Sequence, residues 1–125
     1  MDNAAFLKAY SESRNGANEF YFYNLNKNFH YSDGVRDCAK AGCYWLLDIA
    51  ATELPAAMHK HRAQRAILEV HVITNQTCVL ELTVADDQPA IWTKDIGHTD
   101  MPVGDWFFEV VDETVRVAMI LLTEH

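Results

Sequence analysis

A change in the spacing of the apolar residues near residue 66 constrains the fold of this 125-residue chain more than any other feature. Before it, apolar side chains recur at helical spacing, and after it they alternate every second residue, as in a strand with one buried face. Helices followed by strands predict an α+β fold, with N-terminal helices packed on a C-terminal antiparallel β-meander of about four to five strands. No linker separates the two parts, so we expect a single domain over residues 1–125, helical over about 1–65 and β over about 66–125.

The first half contains three segments with a helical pattern. An apolar stripe predicts a short helix over residues 3–13. A second helix is predicted to begin at Ser32-Asp33, which are good N-cap residues, and to break or end near Gly42. A third helix is expected over about 43–53, where Pro55 closes or restarts it, and residues 56–65 are helix-compatible as well.

An aromatic segment precedes the second helix, and alternating segments make up the second half. Residues 20–31 contain six aromatic side chains and fit no single period, so we predict an irregular or extended segment laid across the core. The alternating segments are the predicted strands, with approximate bounds Ala66–Thr74, Cys78–Val84, Ala90–Ile96, Trp106–Val111 and Val115–Leu122.

Charge divides the chain at the same point as the apolar spacing. Residues 66–125 hold eleven acidic residues against Lys94 and Arg116, and the whole chain carries a net charge of −8. This sign opposes direct binding to nucleic acid phosphates. It indicates instead a basic protein partner, with solubility alone as the alternative. The densest part of the acidic half supplies the predicted partner-binding residues, which are Asp86, Asp87, Asp95, Asp100, Asp105, Glu109, Asp112 and Glu113.

Catalytic sequence motifs are missing from the chain. It has no GxSxG, HExxH, GxGxxG or P-loop pattern, so we expect a protein that is not an enzyme and needs no cofactor. The alternative is a small enzyme or metal-dependent protein. Glu69 and His71 alternate on the first long strand and share a face, which suits a general acid–base pair, although a half-exposed strand face also explains them. The residues available to this alternative are Glu69, His71, His98 and Asp100.

Two further histidines form an HxH pattern. On a strand, His59 and His61 would face the same way, as in some zinc sites, but in a helix residues two apart diverge. Additional ligands would have to come from His98 or Asp100. Solvated surface histidines explain the pattern as well, and we predict no metal site.

The cysteines and the short apolar runs indicate a cytoplasmic protein. Cys38, Cys43 and Cys78 are an odd number without a CxxC pair, which favours buried free thiols. No apolar run approaches the roughly 20 residues that cross a bilayer, and the N-terminus lacks the pattern of a signal peptide. We therefore expect no membrane partner.

Two segments of the first half resemble the recurring motif of a protein family. They are Tyr31-Ser-Asp-Gly-Val35 and Ala41-Gly-Cys-Tyr-Trp-Leu-Leu-Asp48. The chain resembles a bacterial and phage family of small uncharacterised proteins, in which Tyr-Thr-Asp-Gly-Val is followed by a helix and by Ala-Gly-Ala-Tyr-Trp-Leu-Leu-Asp. The stretches 15–21 and 99–102 look similar to the family as well. The resemblance implies no activity and no catalytic residue. It implies a context among the accessory genes of phages and mobile elements.

The leading hypothesis is therefore a non-enzymatic accessory protein of a phage or mobile element that binds a basic protein surface through its acidic β half. One version is an inhibitor of a host defence complex such as CRISPR, in which the acids stand in for phosphates. The alternatives are the small enzyme or metal-dependent protein, and a structural homo-oligomer subunit that assembles through an exposed strand edge.

Overall fold

A computed structural model describes residues 2–12, 20–74, 76–85, 87–113 and 117–121. Within these ranges lie three α-helices, a short π-helical turn and seven strands. The helical elements are α1 (Asn3–Glu12), α2 (Asp33–Cys38), the π-helical turn (Ala39–Cys43) and α3 (Tyr44–Lys60). The strands are β1 (Phe20–Tyr23), β2 (Asn26–Ser32), β3 (Arg65–Val72), β4 (Cys78–Thr83), β5 (Trp92–Ile96), β6 (Gly104–Asp112) and β7 (Val117–Leu121). The predicted ends of the last strand, Val115 and Leu122, lie outside the described residues.

Local sequence signals set the ends of the first helices. The Ser32 hydroxyl accepts a hydrogen bond of 3.3 Å from the Val35 backbone N–H, which confirms the predicted N-cap of α2. Gly42 has a φ of 133°, a conformation that favours glycine, and it lies in the π-helical turn between α2 and α3. The predicted break near Gly42 is thus confirmed.

The third helix continues without a break past its predicted end near residue 53, and it includes Pro55 and residues 56–60 of the helix-compatible stretch. A proline in a helix interior costs about 3 kcal/mol relative to alanine. Leu54 and Met58, on either side of it, are both 0% exposed. Burying each contributes roughly 1.5–3 kcal/mol, so the packed face of α3 outweighs the proline penalty. No helix in the described ranges is long and apolar enough to cross a membrane.

The strands form one sheet in the order β1-β2-β7-β6-β3-β4-β5, with a parallel β2–β7 pair and antiparallel pairs elsewhere. The α+β class is confirmed. Within the described residues, the C-terminal half supplies five strands, within the predicted four to five, but their order is not that of an antiparallel meander. Residues 20–31, predicted as an irregular or extended segment, supply a hairpin that extends the sheet. Aromatic residues occupy both faces of β1, so no polar alternation could reveal a strand there.

The position of β6 is the second departure from a meander. This strand does not pair with its predecessor β5 but inserts between β3 and β7, with eight residue pairs to β3. Phe108 and Val110, on the core side of β6, are almost fully buried, whereas the core-side residues of β5 are only partly buried: Trp92, Lys94 and Ile96. The more apolar strand therefore occupies the centre, and the more polar one lies at the edge, where an unpaired side meets water.

One hydrophobic core lies between the helices and one face of the sheet. On β3 and β4 the even-numbered residues are buried and the odd-numbered ones are only partly buried or exposed. Directly paired residues share a face, so the register extends this second face over β5 and β6. We call it the open face, and it comprises Arg65, Ile67, Glu69, His71, Val79, Glu81, Thr83, Thr93, Asp95, Asp105, Phe107, Glu109 and Val111.

Candidate functional site

The open face gathers acidic side chains from four neighbouring strands. Period-two alternation sends the apolar residues of each strand into the core, and the carboxylates project to the other side. The acids so collected are Glu69 on β3, Glu81 on β4, Asp95 on β5, and Asp105 and Glu109 on β6. Against these five carboxylates, the face as defined carries Arg65 as its one lysine or arginine. The arrangement therefore concentrates negative charge on one surface.

His71 lies at the centre of a cluster on this face. Its Nδ1 is 2.7 Å from Asp105 Oδ1, and its Nε2 is 3.8 Å from Glu69 Oε1. The Thr83 hydroxyl donates a hydrogen bond of 3.1 Å to the other carboxylate oxygen of Glu69. Glu69, His71 and Glu81 each place one potential ligand atom within 4.8 Å of the others. We call Glu69, His71, Glu81 and Asp105 the His71 cluster.

Strand register explains why these four side chains meet. His71 pairs directly with Asp105 across the β3–β6 ladder, and Glu69 pairs directly with Glu81 across the β3–β4 ladder. An acid opposite a histidine is a favourable cross-strand pair, but like charges directly opposite each other are destabilising. Within the ion pairs of the described residues, no lysine or arginine contacts Glu69, Glu81 or Asp105. The cluster can therefore attract a cation or a proton.

Sequence reasoning found half of the His71 cluster. Glu69 and His71 were predicted to share a face, and they do. Glu81 has the same signal, since it alternates with the buried Leu80 and Leu82. Asp105 joins only because β6 pairs with β3, which no local pattern reveals. The other members of the enzymatic alternative, His98 and Asp100, are exposed in the loop between β5 and β6 and do not join the cluster.

The described members of the predicted partner-binding set are distributed over the open face, the loops and the end of β6. Asp95 and Asp105 are exposed on the open face. Glu109 is on the same face but only 6% exposed, with the Arg65 Nε 3.4 Å from its carboxylate. Asp86 lies outside the described residues. The rest lie beyond the strands or at their ends: Asp87 between β4 and β5, Asp100 between β5 and β6, Asp112 at the end of β6, and Glu113 directly after it.

The HxH pair lies at the end of α3, where both histidines are exposed and line different clefts. His59 Nε2 is 3.2 Å from Asp112 Oδ2, beside a cleft of about 300 Å³ that Arg62 also lines. His61 lines a separate cleft of about 380 Å³ together with Trp92. In the described part of the chain, neither histidine joins a group of three potential metal ligands.

The three cysteines are buried and outside any disulfide, as predicted. Burial raises the pKa of Cys43 to about 12 and the pKa of Cys78 to about 11. The Cys43 thiol donates to the Cys38 carbonyl oxygen over 3.0 Å. Thiols that stay protonated at neutral pH are poor nucleophiles and poor ligands, so these cysteines act as core residues.

A family model for a family of unknown function (DUF6876) matches residues 7–125. No curated protein and no solved structure matches the chain.

Proposed function

This chain belongs to DUF6876, a family of unknown function, and we propose from its own surface that it is a non-enzymatic accessory protein that binds a basic protein surface through the open face. The observation that carries the proposal is the charge of that face, five carboxylates against Arg65. The proposal narrows the predicted binding surface from the whole acidic half to one side of β3, β4, β5 and β6.

Charge density on the open face supports a steered encounter. Neighbouring strands lie about 4.8 Å apart, so its carboxylates are spread over a width of roughly 14 Å. At physiological ionic strength the screening length is about 8 Å, which lets nearby carboxylates act together on an approaching basic surface. Such complementarity raises the association rate and makes binding depend on salt.

Apolar side chains between the acids suit the same partner. Ile67, Val79 and Phe107 are partly exposed on the open face. Lysine and arginine side chains have aliphatic stems that can cover such residues while their charged ends reach the carboxylates. Aromatic residues are also enriched at the centre of protein interfaces.

A narrower proposal concerns the biological setting. In this proposal the protein comes from a phage or mobile element and inhibits a host defence complex such as CRISPR. The basic partner is then a component of that complex. In that version the open face occupies a channel that normally holds nucleic acid. A homo-oligomer built through a free strand edge is the remaining alternative, and β1 and β5 form the two edges of the described sheet.

Two double variants test the open face, with all measurements in EDTA. Glu81→Gln with Asp95→Asn removes two charges from the face, and Asp37→Asn with Asp87→Asn removes two exposed charges elsewhere. A basic protein retained from host lysate by the unmodified chain is identified, purified and titrated against all three proteins. We expect the open-face variant to bind about tenfold more weakly, and the control to bind nearly as the unmodified chain does.

Three results contradict the proposal. The first is that no basic protein is retained at low salt. The second is that both double variants lose affinity equally, which means that only net charge matters. The third is that binding is insensitive to salt between 50 and about 300 mM, since surface charge pairs weaken over that range.

A further inference from the structure

We infer that the open face carries a divalent-metal site, in which the His71 imidazole and the Glu69 and Glu81 carboxylates are the ligands and Asp105 orients the imidazole. The metal site can exist whether or not the open face binds a protein partner. It differs from the metal-dependent alternative considered from sequence, because it uses Glu81 and Asp105 in place of His98 and Asp100.

The ligand atoms are close to the spacing that a metal requires. Those of Glu69, His71 and Glu81 lie within 4.8 Å of one another. Ligands around a tetrahedral zinc ion stand about 3.3 Å apart, given metal–ligand bonds of roughly 2.0–2.1 Å. The longest of these separations therefore shortens by up to about 1.5 Å when an ion binds. Two of the three ligands are glutamates, whose side chains can rotate by this amount without moving the strands.

Hydrogen bonds at the cluster direct the ligand atoms inward. Asp105 occupies the Nδ1 side of His71 at 2.7 Å, which leaves Nε2 to face the carboxylates. Metal-binding histidines commonly donate their second ring N–H to a carboxylate, because this fixes the tautomer and the ring orientation. Thr83 holds one oxygen of Glu69, and the other oxygen faces His71 Nε2 at 3.8 Å.

Electrostatic repulsion between carboxylates in the His71 cluster favours the binding of a positive charge. Glu69 and Glu81 pair directly across two strands, a repulsive arrangement that a sheet normally avoids. Their described surroundings supply no lysine or arginine ion pair to offset it. Glu69 and His71 have side chains only 24% and 30% exposed, so water screens the repulsion incompletely. A divalent cation at Nε2 would convert this repulsion into two favourable bonds.

The donor set selects the class of metal. Imidazole nitrogen suits zinc and other late first-row ions, and carboxylate oxygen also accepts manganese and magnesium. One nitrogen and two oxygens therefore favour Zn²⁺ or Mn²⁺ over Ca²⁺, which prefers six to eight oxygen ligands. Three protein ligands leave a further coordination position for water.

Calorimetric titration of the full chain with ZnCl₂, after removal of metal with a chelator, tests the site. We expect one ion per chain. His71→Gln should weaken binding at least 100-fold, and Asp105→Asn should weaken it about 10- to 100-fold, as other residues that orient ligands do. His98→Gln, which changes an exposed histidine outside the cluster, should leave binding unchanged.

A second measurement follows the His71 ring directly. In ¹⁵N-detected spectra of the unmodified protein, zinc should shift the His71 Nε2 resonance, and Asp105→Asn should change the tautomer reported at Nδ1. An unshifted His71 ring at saturating zinc would overturn the proposal. So would equal weakening by His98→Gln and His71→Gln, since that result identifies adventitious binding at surface histidines. Partner binding in EDTA is unaffected by either outcome, so the two proposals fail separately.

Discussion

Replacing Glu81 with glutamine should stabilise the metal-free protein, because it removes the repulsion between the paired carboxylates of Glu69 and Glu81. The potential ligand atoms of the two side chains are at most 4.8 Å apart. At that separation two like charges repel by about 0.9 kcal/mol in water, and by more where water is partly excluded. Measured cross-strand pairs contribute roughly 0.2–1 kcal/mol. We therefore expect Glu81→Gln to raise the free energy of unfolding by about 0.5–1 kcal/mol.

Urea denaturation at pH 8 in EDTA and low salt measures this change. Asp87→Asn is the matched control, because it also removes one negative charge but lies on an exposed turn outside the open face. Its expected effect is within about 0.5 kcal/mol.

Zinc should reverse the order of stability. A ligand present at 100 times its dissociation constant adds about 2.7 kcal/mol to the state that binds it. The unmodified protein should gain this amount and Glu81→Gln much less, so that the two denaturation curves exchange places. A metal-free Glu81→Gln protein that is less stable than the unmodified chain, or no more stable than Asp87→Asn, would refute the reasoning.

Three further predictions concern the core and the turn before α3. Leu54→Ala should lower the free energy of unfolding by about 2–5 kcal/mol in urea, since Leu54 is 0% exposed, whereas Leu25→Ala at an 85% exposed position should change it by less than about 0.5 kcal/mol. Gly42→Ala should cost about 1–3 kcal/mol in the same assay because of the φ of 133°, and Gly97→Ala, where a Cβ meets nothing within 4 Å, serves as its control. Cys43 should resist a thiol reagent at pH 8 in the native state and react once urea unfolds the chain, because its pKa is raised to about 12; rapid native labelling would contradict this.

Local sequence signals predicted the features that depend only on residues close together along the chain. The hydroxyl of Ser32 caps α2, and Gly42 adopts a backbone angle that other residues avoid, so short stretches of sequence were sufficient for both. Alternation likewise placed Glu69 and His71 on one face. Pro55 shows the limit of this reasoning, since burial along α3 overrides its effect as a helix breaker.

Pairing between strands distant in sequence decided the features that local patterns did not predict. The sheet order depends on which strands bury the most apolar surface, and β6 therefore lies beside β3 although residues 73–103 separate them along the chain. Asp105 reaches His71 only through that pairing. The aromatic hairpin of β1 and β2 was missed for a related reason, because both faces of β1 are aromatic and the usual polar alternation is missing.

The two proposals for the open face predict a coupling between them. With a neutral histidine, five carboxylates and the Arg65 guanidinium leave this face with a charge of −4, and a bound divalent ion halves it. A basic partner would then meet a weaker field, so zinc should reduce its association rate and its affinity, most strongly at low salt. Linkage requires the reciprocal effect, in which saturating partner weakens zinc binding by the same factor. Stopped-flow association of the partner with zinc-loaded and zinc-free protein measures the first effect, and calorimetry measures the second. Unequal factors, or no change at 50 mM salt, would mean that metal and partner do not share the open face.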